Sequence, residues 1–201
     1  MGEIKNFKYP AVIPQRKTGS EEIVGIENQT LLDFWQWAYS NILDNAERGV
    51  FAEWLVAKAL DCVNDVRVEW DKFDIITDDG IKVEVKSSGY LQSWGQKTLS
   101  KIVFGIQQTK AWDYETKQYE FEKKRQADIY VFCVHKHTHQ ESVNPIDVSQ
   151  WDFYVISTNT LNTKIGSQKS ISLNCLLKIG AEKVEYKLLK KAVTNLYKGD
   201  F

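Results

Sequence analysis

The sequence predicts an α/β domain in which helices flank a central mixed sheet, and three observations carry that expectation. Two consecutive stretches, from Thr30 and from Asp44, place apolar residues at helical spacing. Two later segments, Phe73–Thr77 and Ile81–Lys86, alternate at period two on either side of Asp78-Asp79-Gly80. Ala127–Val134 is almost continuously apolar, the pattern of a strand covered on both faces.

Composition bounds what such a domain can be. With 201 residues, 43% of them hydrophobic and 26% charged, the chain can bury one core and is read as a single domain over 1–201. No apolar run approaches the ~18 residues needed to cross a bilayer, and Met1–Asn6 leads into no signal-like stretch, so a cytoplasmic protein without a membrane partner is expected. Cys62, Cys133 and Cys175 are widely spaced and form no Cys-x-x-Cys pair, which predicts reduced thiols and no zinc knuckle. The net charge of -1 and the pI near 6.3 remove the simplest reason to expect a nucleic-acid partner, a strongly basic chain. They leave room for a local basic rim beside an acidic metal site, where a bound cation reverses the sign.

Residues 1–27 contain Pro10 and Pro14 and keep no period, so they are expected to lie as an arm across the domain. Thr30 caps a predicted helix to about Leu43, built on Leu31, Leu32, Phe34, Trp35, Ala38 and Ile42. Asp44 or Asn45 caps a second, whose wide apolar face runs from Val50 to Leu60 and contains Glu53. Strands are expected at Val66–Trp70 and in the two segments about Asp78-Asp79-Gly80, with glycine where a hairpin wants positive φ. A third helix is predicted from Lys97 to about Thr109, then an exposed connection or outer hairpin over Asp113–Gln126, then the buried strand. Trp151–Ile156 is a further strand, Ser172–Lys178 a short helix closed by Gly180, and Val184–Leu188 a last strand candidate. The core is thus placed at about 45–135, with a C-terminal extension over 151–201.

The hairpin register follows from its turn. A three-residue loop with Gly80 left-handed pairs Thr77 with Ile81, Ile75 with Val83 and Asp74 with Glu84. Phe73, Ile75, Val83 and Val85 then share an apolar face, and Asp74, Glu84 and Lys86 share the other. Two carboxylates directly opposed lie within ~5 Å at Cβ and repel unless a positive charge intervenes. A hard divalent cation would relieve that repulsion, with Asp74, Glu84 and the Val85 carbonyl as ligands. Lys86 could then orient the attacking water and steady phosphate charge, which makes phosphodiester hydrolysis the expected reaction class. The same residues also fit a solvated hairpin face with a lysine partner.

Asp74-Ile75-Ile76 followed by Glu84-Val85-Lys86, with Asp74 and Glu84 ten positions apart, resembles the signature of the PD-(D/E)XK restriction-endonuclease-like superfamily, Phe73 standing where proline is frequent. Upstream, Arg48–Val56 is similar to the opening helix of Holliday-junction resolvases and related members, and Glu53 matches the acidic residue that reaches the metal. Ala127–Phe132 resembles the next core strand, and Gln92, six residues beyond Lys86, is similar to a Glu or Gln some members place near the active site. The resemblance implies an αβββαβ core and a Mg²⁺-dependent endonuclease of restriction or repair type acting on DNA, with Mn²⁺ as a substitute and a homodimer as a possible state. It implies Asp74, Glu84 and Glu53 as an acidic site with Lys86 beside it. A nucleic-acid-binding or interaction module of the same fold, without turnover, is the alternative.

The stretch Ser87–Gln96 follows Lys86 and offers Ser88, Tyr90, Gln92 and Trp94 as candidate nucleic-acid contacts, or else forms a capped turn. His135, His137 and His139 recur at period two, suited to a transition metal if extended and otherwise an exposed strand end. Lys123-Lys124-Arg125 is a short basic run that fits a solvated turn or a backbone contact with DNA.

Overall fold

A computed structural model describes residues 9, 12–63, 66–67, 72–110, 112–113 and 118–199. The arm beyond residue 12 is mostly exposed and reaches the domain through Gly19, whose backbone packs beside the Trp35 ring. Helix α1 spans Leu31–Tyr39, shorter than the pattern to Leu43, with Asp33 reaching back to the Thr30 backbone at 2.7 Å. Helix α2 spans Asn45–Ala59, and the Asp44 carboxylate caps it by accepting from the Ala46 N–H at 3.2 Å.

The hairpin takes the register expected of it. Strand β1 (Ile75–Ile76) pairs antiparallel with β2 (Lys82–Gly89), setting Ile75 opposite Val83. Gly80 has φ of 82°, and the Thr77 N–H donates to the Ile81 carbonyl at 3.0 Å to close the loop. The strand expected at Val66–Trp70 is absent at Val66 and Arg67, and residues 68–70 lie outside the described residues.

Strand β6 (Ile129–His135) is buried throughout and central, parallel to β2 on one side and antiparallel to β7 (Trp151–Ser157) on the other. With β9 (Glu182–Val184) beyond β7, the mixed sheet runs β1-β2-β6-β7-β9. One face carries α2 and α5 (Leu189–Gly199), where Leu55 and Val56 meet Val83, Val85 and Val131. The opposite face buries Tyr130, Phe132 and Tyr154 under Phe104, Leu161 and Leu176, the last two from α3 (Thr158–Ile165) and α4 (Leu173–Lys178).

The connection from β2 to β6 is where expectation and structure part. No helix covers 97–109; instead β3 (Val103–Gly105) pairs antiparallel with β8 (Ser170–Ser172). Ile102, Phe104 and Ile106 are buried while Lys101, Val103 and Gly105 are exposed, so the segment obeys period two. Among the described residues the crossover helix of an αβββαβ core is therefore missing. The polar stretch forms an outer hairpin of β4 (Trp112–Asp113) and β5 (Gln118–Tyr119). Arg125, expected in a solvated or DNA-facing run, is instead buried and donates to the Ile106, Gly166 and Gln168 carbonyls and to Asn162 Oδ1. No helix of the described residues is long and apolar enough to cross a membrane.

Candidate active site

The hairpin positions Asp74 at the edge of the sheet. Its N–H donates to the Val83 carbonyl at 3.2 Å, and its Oδ2 accepts from the Val85 N–H at 2.7 Å, which draws the carboxylate across onto β2. Continuing the register by one residue sets Asp74 across from Glu84 on the face that Tyr130 shares. Lys86, two residues along the same face, donates from Nζ to Glu84 Oε1 at 2.5 Å.

Glu53 approaches from α2. It lines, with Asp74, Phe73, Trp54 and Arg67, a cleft of about 450 Å³ along the β1 edge. Arg67 holds its carboxylate in two-pronged fashion, Nη2 donating to Oε1 at 3.0 Å and Nε to Oε2 at 2.5 Å.

These charges act on one another through Asp74. Although Asp74 keeps solvent access along the cleft, the protein packed about its carboxyl is the main cause that raises its pKa to about 7. The charge of Glu84 adds to this and that of Glu53 adds less, while the Val85 N–H and Lys86 pull the other way. Near neutrality Asp74 therefore holds a proton in part of the population, as burial first and neighbouring carboxylates second dictate.

Tyr130, opposite Glu84 on β6, lies beneath the site and escaped the sequence reading because it sits in an apolar run. Burial first, then the charge of Glu84, raises its hydroxyl pKa well above the usual phenol range, with Arg125 opposing. The pairing of β2 with β6 was the signal that could have found it.

The loop after β2 divides the four candidate contacts. Ser88 is buried and Tyr90 half-buried. Gln92 is tied inward, its amide donating to the Gly89 carbonyl and Ser100 Oγ and accepting from Arg48 Nη1. Trp94 is exposed.

The three histidines do not converge. His135 is fully buried with its ring edge-on to Trp151, and burial lowers its pKa to about 4. Asn144 and Gln150 lie close enough to favour its protonated form slightly, yet neither ring nitrogen makes a well-formed hydrogen bond. The His137 and His139 rings are 5.8 Å apart, with His137 Nε2 against Ser142 Oγ. Among the described residues no three His, Cys, Asp or Glu side chains gather closely enough to hold a metal ion. What the hairpin could offer a cation is narrower: the Asp74 and Glu84 carboxylates, hard oxygen donors suited to an ion that keeps most of its waters.

Fold and site together define an α/β protein whose sheet edge sets Asp74 across from Glu84, with Lys86 beside them and Glu53 reaching the same edge from the helix on the other face. The chain belongs to the bacteriophage T4 endonuclease IV family, whose model matches residues 29–175, well over half of the sequence. The matched span contains Glu53, Asp74, Glu84 and Lys86, and ends within α4, so that β9 and α5 lie beyond it. The comparison with curated proteins gave no match.

Proposed function

We propose that the protein is a divalent-cation-dependent endonuclease that hydrolyses DNA phosphodiester bonds at the Asp74–Glu84–Lys86 hairpin, in the manner of PD-(D/E)XK nucleases. The observation that carries this reading is the placement of Asp74, Glu84 and Lys86 together on the hairpin, with Asp74 opening into the cleft that Glu53 also lines, in a chain of an endonuclease family. Asp74 and Glu84 are the residues that would hold Mg²⁺, or Mn²⁺ in its place, with the Val85 carbonyl beside them. The ion, when bound, supplies Lewis acidity toward phosphate and lowers the pKa of a bound water.

The chain's own groups do the rest. Lys86 Nζ, on the same face as both carboxylates, exchanges its contact with Glu84 for the attacking water or a phosphate oxygen. Glu53, fixed by Arg67, closes the acidic wall and keeps Asp74 poised. Ser88, Tyr90, Gln92 and Trp94 shape the loop beside Lys86, with Trp94 as its exposed contact for DNA and Gln92 as its brace to α2.

Plasmid cleavage in Mg²⁺ or Mn²⁺ tests the reading. Lys86→Ala and Asp74→Asn should each lower the rate by about 100-fold or more, and variants as active as wild type would overturn it. A binding module without turnover is the second reading. The Lys86–Glu84 and Arg67–Glu53 pairs favour it, because each gives a carboxylate of the site a positively charged side chain as its partner. Under that reading DNA is retained but left uncut in either metal.

A further inference from the structure

The cleft has an aromatic wall that the proposed chemistry leaves unused. Trp54 follows Glu53 on α2 and is 46% exposed, although Leu55 and Val56 beside it are buried. Its ring stacks on Phe51 with centroids 5.7 Å apart and planes at 25°, the two being three residues apart on one helix face. Phe51 in turn leans on the buried Trp151 at 6.3 Å. Trp54 is thus the outermost of three rings rooted in the core, held in place from behind and open in front. Phe73, next to Asp74, lines the same cleft while packing toward the sheet's other face.

A large apolar ring left half in water forfeits burial that the neighbouring side chains obtain. A rigid, exposed aromatic face in the same cleft as Asp74 suits a flat ring, and where a divalent cation offsets the carboxylates the cleft also accepts a phosphate; a nucleotide has both parts. We propose that Trp54 is the platform on which one base of the bound DNA strand stacks, holding the neighbouring phosphate beside the cation site proposed at Asp74. Trp54 is then a positioning residue, and this role rests on the reading of the cleft as a nuclease site.

The experiment is a cycle between protein and substrate. An oligonucleotide is cut by wild type, Trp54→Ala and Trp54→Phe, and then by each again with a single abasic nucleotide moved along the sequence. Base stacking on an aromatic ring is worth enough that Trp54→Ala should raise KM about tenfold, while Trp54→Phe stays close to wild type. At one position the abasic substrate should cost wild type the same factor and cost Trp54→Ala nothing more. Losses that multiply at every position, or a Trp54→Ala variant with unchanged KM, overturn the platform even if cleavage is robust. Wild type that binds but does not cut defeats the proposed reaction instead. The same cycle is then read in Kd by fluorescence anisotropy, where the coupling is again expected and multiplying losses overturn it. Wild type that neither cuts nor binds overturns both.

Discussion

Asp74 is the residue on which the site's electrostatics converge, because it accepts only one hydrogen bond from its own strand pair while two other carboxylates act on it. Its folded pKa of about 7 lies above its ordinary value, so the folded protein keeps a proton that the unfolded chain releases. Stability from this group is fully present below about pH 4 and is lost as pH rises through 7. In metal-free protein, Asp74→Asn should therefore raise Tm at pH 8 by roughly 2–4 °C, a figure discounted for the solvent that reaches the residue. The gain should vanish at pH 4, and a Tm difference independent of pH would contradict this assignment. At this scale the sequence showed Asp74, Glu84 and Lys86 by charge and spacing, but not Arg67 or Tyr130. Arg67 falls at an outward position of the strand expected over Val66–Trp70, a pattern that names no partner for it, and Tyr130 looks like any core aromatic until the partner of β2 is known.

The hairpin of β1 and β2 was legible because local chemistry fixes it: a glycine that alone tolerates φ of 82° sets the loop length, and loop length sets the faces. A Cβ at Gly80 would meet no atom within 4 Å, so Gly80→Ala tests the backbone alone. The substitution should cost about 1–2 kcal/mol and lower Tm by roughly 2–8 °C in calorimetry, with cleavage by the folded fraction kept. An unchanged Tm would mean the turn does not hold the register. Other elements were hidden by context. The predicted helix over 97–109 failed since Ile102, Phe104 and Ile106 fit a period of two as well as a loose helical spacing, and β8, which selects between them, lies some 65 residues later. Helix α3 contains three threonines and two asparagines in its eight residues, poor helix formers that tertiary packing of Leu161 overrides.

At the scale of the molecule, a formal charge of -1 means no long-range field draws DNA toward the cleft. On the proposed function, binding then depends on the cation that neutralises Asp74 and Glu84. Adding Ca²⁺ at constant ionic strength should tighten DNA binding by roughly tenfold, about 1.4 kcal/mol, as read by anisotropy, and Asp74→Asn should blunt the effect. Affinity indifferent to divalent ions would set the DNA path elsewhere on the surface. The five-stranded sheet also closes with β1 at one border and β9 at the other, two and three residues long. Such stubs give an incoming polypeptide almost no ladder to extend, which guards the protein against fibre-like stacking. Any pairing of copies that brought two cleavage centres to opposite DNA strands would find little to build on at the described borders of this sheet.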